Sequence, residues 1–179
     1  MEHGFATKAK VLSLGLGALI APVLVVGSAG ADPDHSARGS VAPIPPVKPV
    51  ASEPLARGAA GEFAIRDRET GVRLQGNEPT DVVLVKATLP GHGSTGWHRH
   101  PGPSMVIVAS GTLRMIAPGH GHDHDCTEES FPGGSAFTHP STAHDFANDR
   151  DEPAVFYIAY FVPEGNSPAP IATDPPRGC

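Results

Sequence analysis

From Glu62 onward the chain alternates short apolar runs with clusters of turn-forming residues. Seven runs read as strands: Phe63–Asp67, Val82–Leu89, Ser104–Ala109, Leu113–Ala117, Ser135–Thr138, Ala143–Phe146 and Ala154–Val162. Pro90-Gly91, Ser110-Gly111, Pro118-Gly119, Pro132-Gly133-Gly134 and Asp149–Pro153 separate them. Short β-rich runs at roughly 8–12-residue spacing, punctuated by such turns, predict a sandwich or barrel. No window of about 11 residues carries the apolar spacing of an amphipathic helix. The expected fold class is therefore all-β, with one domain over residues 61–165. About 100 residues suffice for a single core.

The flanks have a different texture. Residues 1–31 read as a signal peptide. Lys8 and Lys10 supply a positive start, and Val11 to Val26 is uncharged and mostly apolar. Ala29-Gly30-Ala31 then offers a small-x-small cleavage site before Asp32. An uncleaved anchor helix is the alternative, but this run is short of the ~20 residues that span a bilayer, and Pro22 interrupts it. The predicted localisation is secreted or cell envelope. Residues 32–60 read as a Pro-rich linker. Pro43, Pro45, Pro46, Pro49 and Pro54 exclude helix and central strand there and predict extended, polyproline-like chain or a disordered tail. Residues 166–179 form an irregular, Pro-rich C-terminal tail.

Charge narrows the partners. The whole chain carries −6, and loss of Glu2, Lys8 and Lys10 with the signal leaves a more acidic remainder. No basic stripe exists, which argues against a nucleic acid or, for the mature form, an anionic membrane surface. Export also bears on the two cysteines. In an oxidising compartment Cys126 and Cys179 are expected to form a disulfide, which would stabilise the fold by about 4 kcal/mol in the chain-entropy model. A free thiol at a metal site is the alternative.

The ten histidines are unevenly placed. His98 and His100 stand two apart in Gly96-Trp97-His98-Arg99-His100. Side chains two apart in a strand share a face, so both imidazoles can reach one ion, with Arg99 on the opposite face. His144 lies in a later strand candidate that a closed barrel could bring beside the pair. Taken alone, His-x-His is a weak signal, and its flanks strengthen it.

Those flanks match a family. Pro90-Gly91-His92-Gly93-Ser94-Thr95-Gly96-Trp97-His98-Arg99-His100-Pro101-Gly102-Pro103-Ser104, running to Gly111, resembles the first cupin motif. Gly134-Ser135-Ala136-Phe137-Thr138-His139-Pro140-Ser141-Thr142-Ala143-His144-Asp145-Phe146-Ala147-Asn148 resembles the second, with Thr142 in place of its usual glycine. The resemblance covers roughly residues 62–164. It implies a small single-domain cupin: a double-stranded β-helix, or jelly-roll barrel. His98, His100 and His144 would be its metal ligands and Asn148 its turn residue. It also implies a small-molecule ligand and a homodimer formed through sheet edges.

The pattern departs from the family at one place. The glutamate ligand of the first motif should fall near Ser104 or Met105, and neither is an acid. Three neutral imidazoles plus open positions suit a divalent ion such as Fe, Mn, Ni, Cu or Zn, and leave its full charge to attract an anion or acidify water. Open positions suit metal catalysis, and equally a non-catalytic binding barrel.

Other residues have plainer readings. Ser104, His139 and His92 are pocket candidates, although His139 and His92 read more readily as solvated loop histidines. Trp97 reads as outer packing. Phe137, Phe146, Tyr157, Tyr160, Met105 and Met115 read as core. Asp145 and Arg99 are nearby acid–base candidates, but because each neighbours a ligand in a strand both are expected to face outward. His120, His122 and His124, with Asp123 and Asp125, are a candidate second metal loop or a solvated hairpin tied down by Cys126. No Gly-x-Ser-x-Gly elbow, P-loop or dinucleotide fingerprint is present. Two functions follow from the resemblance: a metal-dependent dioxygenase or isomerase acting on a small molecule, and a non-catalytic module that binds a small molecule or metal.

Overall fold

The computed structural model describes residues 41–119 and 125–179. The expected signal segment and the loop carrying His120, His122 and His124 lie outside these residues. Eleven strands form: β1 (Ala51–Arg66), β2 (Arg73–Leu89), β3 (Gly93–Ser94), β4 (His98–Arg99), β5 (Ser104–Ser110), β6 (Thr112–Pro118), β7 (Cys126–Pro132), β8 (Ala136–His139), β9 (Asp145–Asn148), β10 (Ala154–Pro163) and β11 (Ile171–Ala172). No helix long and apolar enough to cross a membrane occurs among the described residues.

The strands pair antiparallel into a five-stranded sheet, β1-β2-β10-β5-β8, a four-stranded sheet, β3-β9-β6-β7, and a short pair, β11-β4. Side-chain alternation fixes which face is buried. In β5, Ser104, Val106 and Val108 point inward, and Met105 and Ile107 outward. In β10, Ala154, Phe156, Ile158, Tyr160 and Val162 are buried, and the residues between them are half-buried. These side chains meet Val83, Val85, Ala87 and Leu89 of β2, and Leu113, Phe131 and Phe146 of the second sheet, in one core. Each fully buried side chain of this size contributes roughly 1.5–3 kcal/mol.

Several expectations need correction. Residues 41–60 are not a spacer held away from the domain. Residues 51–60 belong to β1, where Pro54 precedes an irregularity in the pairing with β2. An edge strand tolerates a proline because its missing N–H breaks no inner ladder. Upstream, Ser94 N donates to Pro46 O at 3.0 Å, and Arg114 donates to the carbonyls of Ala42 and Pro43. Strand β7 has no counterpart among the predicted strands, because Thr127–Ser130 is polar and exposed and shows no alternation. Met105 is 36% exposed and fills no core. Trp97 packs at the edge of a small second cluster formed by Ile116, Cys126 and Ala147.

Cys126 and Cys179 form a disulfide. The chain between β10 and this bond crosses the histidine end of the barrel. There β11 pairs with β4, so that Ile171 lies opposite Arg99 and Ala172 opposite His98. The tail 166–179 is thus part of the structure around the site and not an appendage.

Candidate metal centre

The site forms where the chain leaves a glycine turn. Gly96 has φ +74°, a conformation that side-chain-bearing residues rarely adopt, and from it the chain enters β4 with His98. His98 and His144 then form an isolated antiparallel bridge. Each backbone N–H donates to the other's carbonyl, at 3.0 and 2.9 Å. His100 follows on the same face as His98. The ring centroids are 4.9 Å apart for His98 and His100, 4.4 Å for His98 and His144, and 5.6 Å for His100 and His144. One nitrogen from each ring lies within 4.8 Å of the others, and all three residues are buried.

The hydrogen bonds fix which nitrogen is free. His98 Nδ1 lies 2.8 Å from Gly96 O, His100 Nδ1 2.7 Å from Pro168 O, and His144 Nδ1 3.0 Å from Thr142 O. A carbonyl only accepts, so each Nδ1 carries the proton and donates it. Each Nε2 is left with a lone pair for a metal. His144 Nε2 is buried and has no hydrogen-bond partner. An orphaned acceptor at the meeting point of two other imidazoles is costly unless an ion or a water occupies it. Burial keeps the rings neutral: it lowers the pKa of His98, that of His100 to about 4 and that of His144 to about 2. Neutral imidazole is the form that ligates, so the residues present fit a divalent ion bound by nitrogen.

Ser104 stands at the position of the missing acid, and its side chain does turn inward. It is a cross-strand partner of His139, and its Oγ lies 2.7 Å from His139 Nε2. His139 Nδ1 donates to Pro140 O at 2.9 Å, so Nε2 accepts the Ser104 proton. The expectation of a solvated loop histidine fails for His139, which is 5% exposed and has its ring centroid 4.2 Å from that of His144. It fails because the last residue of β8 faces inward, a consequence of register with β5. His139 and Ser104 also line an outer groove of about 600 Å³ with Pro101, Pro103, Thr138 and Pro140. His92 does not join them: it is exposed and lies 2.7 Å from the Asp151 carboxylate.

Two features of the site went unread in the sequence. The first is Asp145, which is 1% exposed. Its carboxylate accepts from Ser94 Oγ at 3.0 and 2.9 Å and from Thr95 Oγ1 at 3.0 Å. Ser94 Oγ in turn accepts from Gly96 N at 2.9 Å, and Thr95 Oγ1 stands 3.4 Å from His98 Nδ1. Asp145 does turn away from the ligand cluster, as strand alternation requires, but into the protein and not into solvent. The second is the tail, whose Pro168 carbonyl orients His100. The position of Asp145 directly after a ligand, and the hydroxyl pair Ser94-Thr95 ahead of Gly96, were the available signals. Asn148 acts as a turn residue: its Nδ2 donates to Glu152 O at 2.8 Å and its Oδ1 accepts from Arg150 N at 3.0 Å.

Beside His98 and His100 lies an apolar cavity of about 110 Å³, lined among others by Val85, Phe146, Phe156, Ile158 and Tyr160. Burial raises the pKa of the Tyr160 phenol, so it stays protonated. Tyr160 and Pro170 also line a wider recess of about 600 Å³ beneath the tail.

Residues 85–160 match the family model for the cupin domain. No curated protein matches the chain. Among solved structures it resembles the DMSP lyase DddQ from Ruegeria pomeroyi DSS-3, with 18% identity, TM-score 0.43, and coverage of 51% of this chain and 43% of that one. It also resembles the oxalate decarboxylase of Lactobacillus farciminis in its formate complex, with 18% identity, TM-score 0.44, and coverage of 51% and 26%. A third is the oxalate decarboxylase of Bacillus subtilis at pH 4.6, with 20% identity, TM-score 0.43, and coverage of 51% and 23%. The chain spans less than half the length of each.

Proposed function

We propose that the domain is a metal-dependent enzyme that acts on a small molecule at a divalent ion held by His98, His100 and His144. The observation that carries this reading is the convergence of three neutral imidazoles, each with its Nδ1 proton committed to a backbone carbonyl, on the orphaned His144 Nε2. A bound divalent ion would supply Lewis acidity or a redox couple, and the class of reaction is a dioxygenation or an isomerisation. The chain's own residues hold and orient the ligands. The apolar cavity wall of Phe146, Phe156, Ile158 and Tyr160 stands beside His98 and His100. At about 110 Å³ that cavity is below the ~300–1,000 Å³ of sites for drug-sized ligands, so the group entering it is a few heavy atoms across.

A non-catalytic module that binds a small molecule or metal is the second reading. It is favoured by Ser104, whose hydroxyl proton goes to His139 and which brings no acid to the cluster. We place the mature protein outside the cytoplasm, on the strength of the signal-like N-terminus and the disulfide between Cys126 and Cys179. The test is metal analysis of the untagged protein beside its His98→Ala/His100→Ala variant. Near-stoichiometric Fe, Mn, Ni, Cu or Zn that the variant lacks is expected. Equal or negligible metal in both would overturn the proposal.

A further inference from the structure

Among the described residues Asp145 is a carboxylate buried without a positive partner. Its three hydrogen bonds come from the neutral hydroxyls of Ser94 and Thr95. The other buried acid among the described residues behaves differently: Asp81 pairs with Arg57. Among the described residues no cationic side chain lies within salt-bridge distance of Asp145. An unpaired charge taken out of water is expensive, and hydroxyl hydrogen bonds offset only part of that cost. A fold that keeps such a charge needs a positive charge nearby in its working state.

The site supplies one. Asp145 directly follows the ligand His144. Through Thr95 Oγ1 it reaches His98, and through Ser94 Oγ it anchors Gly96, whose carbonyl accepts the His98 Nδ1 proton. The first motif brings no acid to the ligand set, so three imidazoles would leave a bound divalent ion with its whole charge. We propose that Asp145 is the counter-ion of the metal centre: it balances the ion through one shell of hydroxyls and through His98, without touching it. This rests on the three-histidine site proposed above. It makes Asp145 a positioning and charge-balancing residue, with opposite consequences when the ion is present and when it is absent.

That opposition is the test. Asp145→Asn keeps an oxygen to accept the hydroxyls and removes the charge. Zn(II) affinity would be measured by competition with a chromogenic chelator, and thermal unfolding would be followed with and without Zn(II). The His144→Ala variant would serve as baseline for zinc held elsewhere, such as by His120, His122 and His124. For Asp145→Asn a roughly 10- to 100-fold weaker Zn(II) affinity is expected, the range typical for outer partners of metal ligands. The metal-free midpoint is expected to be unchanged or higher, because the unpaired charge is gone. Asp81→Asn removes the other buried carboxylate, which pairs with Arg57 and has no part in the histidine cluster, and its affinity should stay within a few-fold of wild type. Wild-type affinity in Asp145→Asn would overturn the proposal and leave the histidine site standing. So would failure of Asp145→Asn to fold without metal, or an equal loss of affinity in Asp81→Asn, since both are marks of a scaffold role. A wild-type protein that binds no more Zn(II) than His144→Ala would overturn the histidine site and this inference together.

Discussion

Ser104 and His139 face each other across β5 and β8, and the Ser104 hydroxyl donates to His139 Nε2 at 2.7 Å. The pair adjoins the histidine cluster, with the His139 ring centroid 4.2 Å from that of His144. Both residues are buried, so removing one strands the other. Ser104→Ala should cost about 1–3 kcal/mol by leaving His139 Nε2 unsatisfied. His139→Ala should cost more, since it also opens a void beside His144. The Ser104→Ala/His139→Ala double variant should fall short of the summed losses by about 1 kcal/mol in urea denaturation. Strict additivity would mean that the hydrogen bond contributes nothing.

His144 is the histidine of the cluster with the least freedom. Its backbone is bridged to His98, its Nδ1 is held by Thr142 O, and its Nε2 faces the cluster. His144→Ala should weaken metal binding by more than the roughly 100-fold that loss of an outer partner costs. His92→Ala, at an exposed loop histidine, should leave affinity unchanged. Dialysis against a chelator followed by metal analysis would separate the two.

Acid should destabilise the metal-free protein. Burial lowers the folded-state pKa of His100 to about 4 and of His144 to about 2, and lowers those of His98 and His139. The unfolded value is about 6.5. Between the folded and unfolded values the unfolded chain binds more protons, so stability is fully present above about pH 6.5 and is lost as pH falls toward the folded values. The expected slope is on the order of 1 kcal/mol per pH unit between about pH 6 and 5, read from thermal unfolding of chelated protein. A bound ion, which competes with those protons, should move the onset of the loss to lower pH.

Gly102 lies between His100 and Ser104, pressed against β10. A Cβ there would collide with the carbonyl oxygen of Phe161, a backbone atom that cannot step aside. Gly102→Ala should therefore destabilise the domain by at least about 1–3 kcal/mol, and should shift the Ser104 end of β5. Gly134, with open space around it but φ +91°, makes the comparison: Gly134→Ala meets no atom and carries only conformational strain. Chemical denaturation of the two variants would rank them.

What the sequence disclosed followed from what is periodic or local. The alternation in Ser104–Ala109 and Ala154–Val162 declares both strands and their buried faces, and His98 with His100 declares a shared face. Residues in contact through cross-strand register were hidden, because register joins positions far apart in the chain. His139 looks like a loop residue until β8 is set against β5, and Asp145 looks outward-facing until Ser94 is set beside it. Pro43 to Pro54 looked like a spacer because prolines are poor in inner strands. An edge with a proline at its irregularity is the exception that propensity does not see. The polar run Thr127–Ser130 hid β7 for a related reason: an exposed edge needs no apolar face.

The Pro168 carbonyl that orients His100 belongs to a segment anchored by the bond between Cys126 and Cys179. The unit that can be recognised by kinship and the unit that can do the work therefore differ in extent. A graft ending at residue 160 would carry all three imidazoles yet leave one of them free to turn. Opening the cysteine bridge would loosen that same ring from the opposite end of the tail. At the proposed three-histidine site, metal retention is therefore expected to fall when the bridge is reduced, which metal analysis with and without a thiol reductant would check.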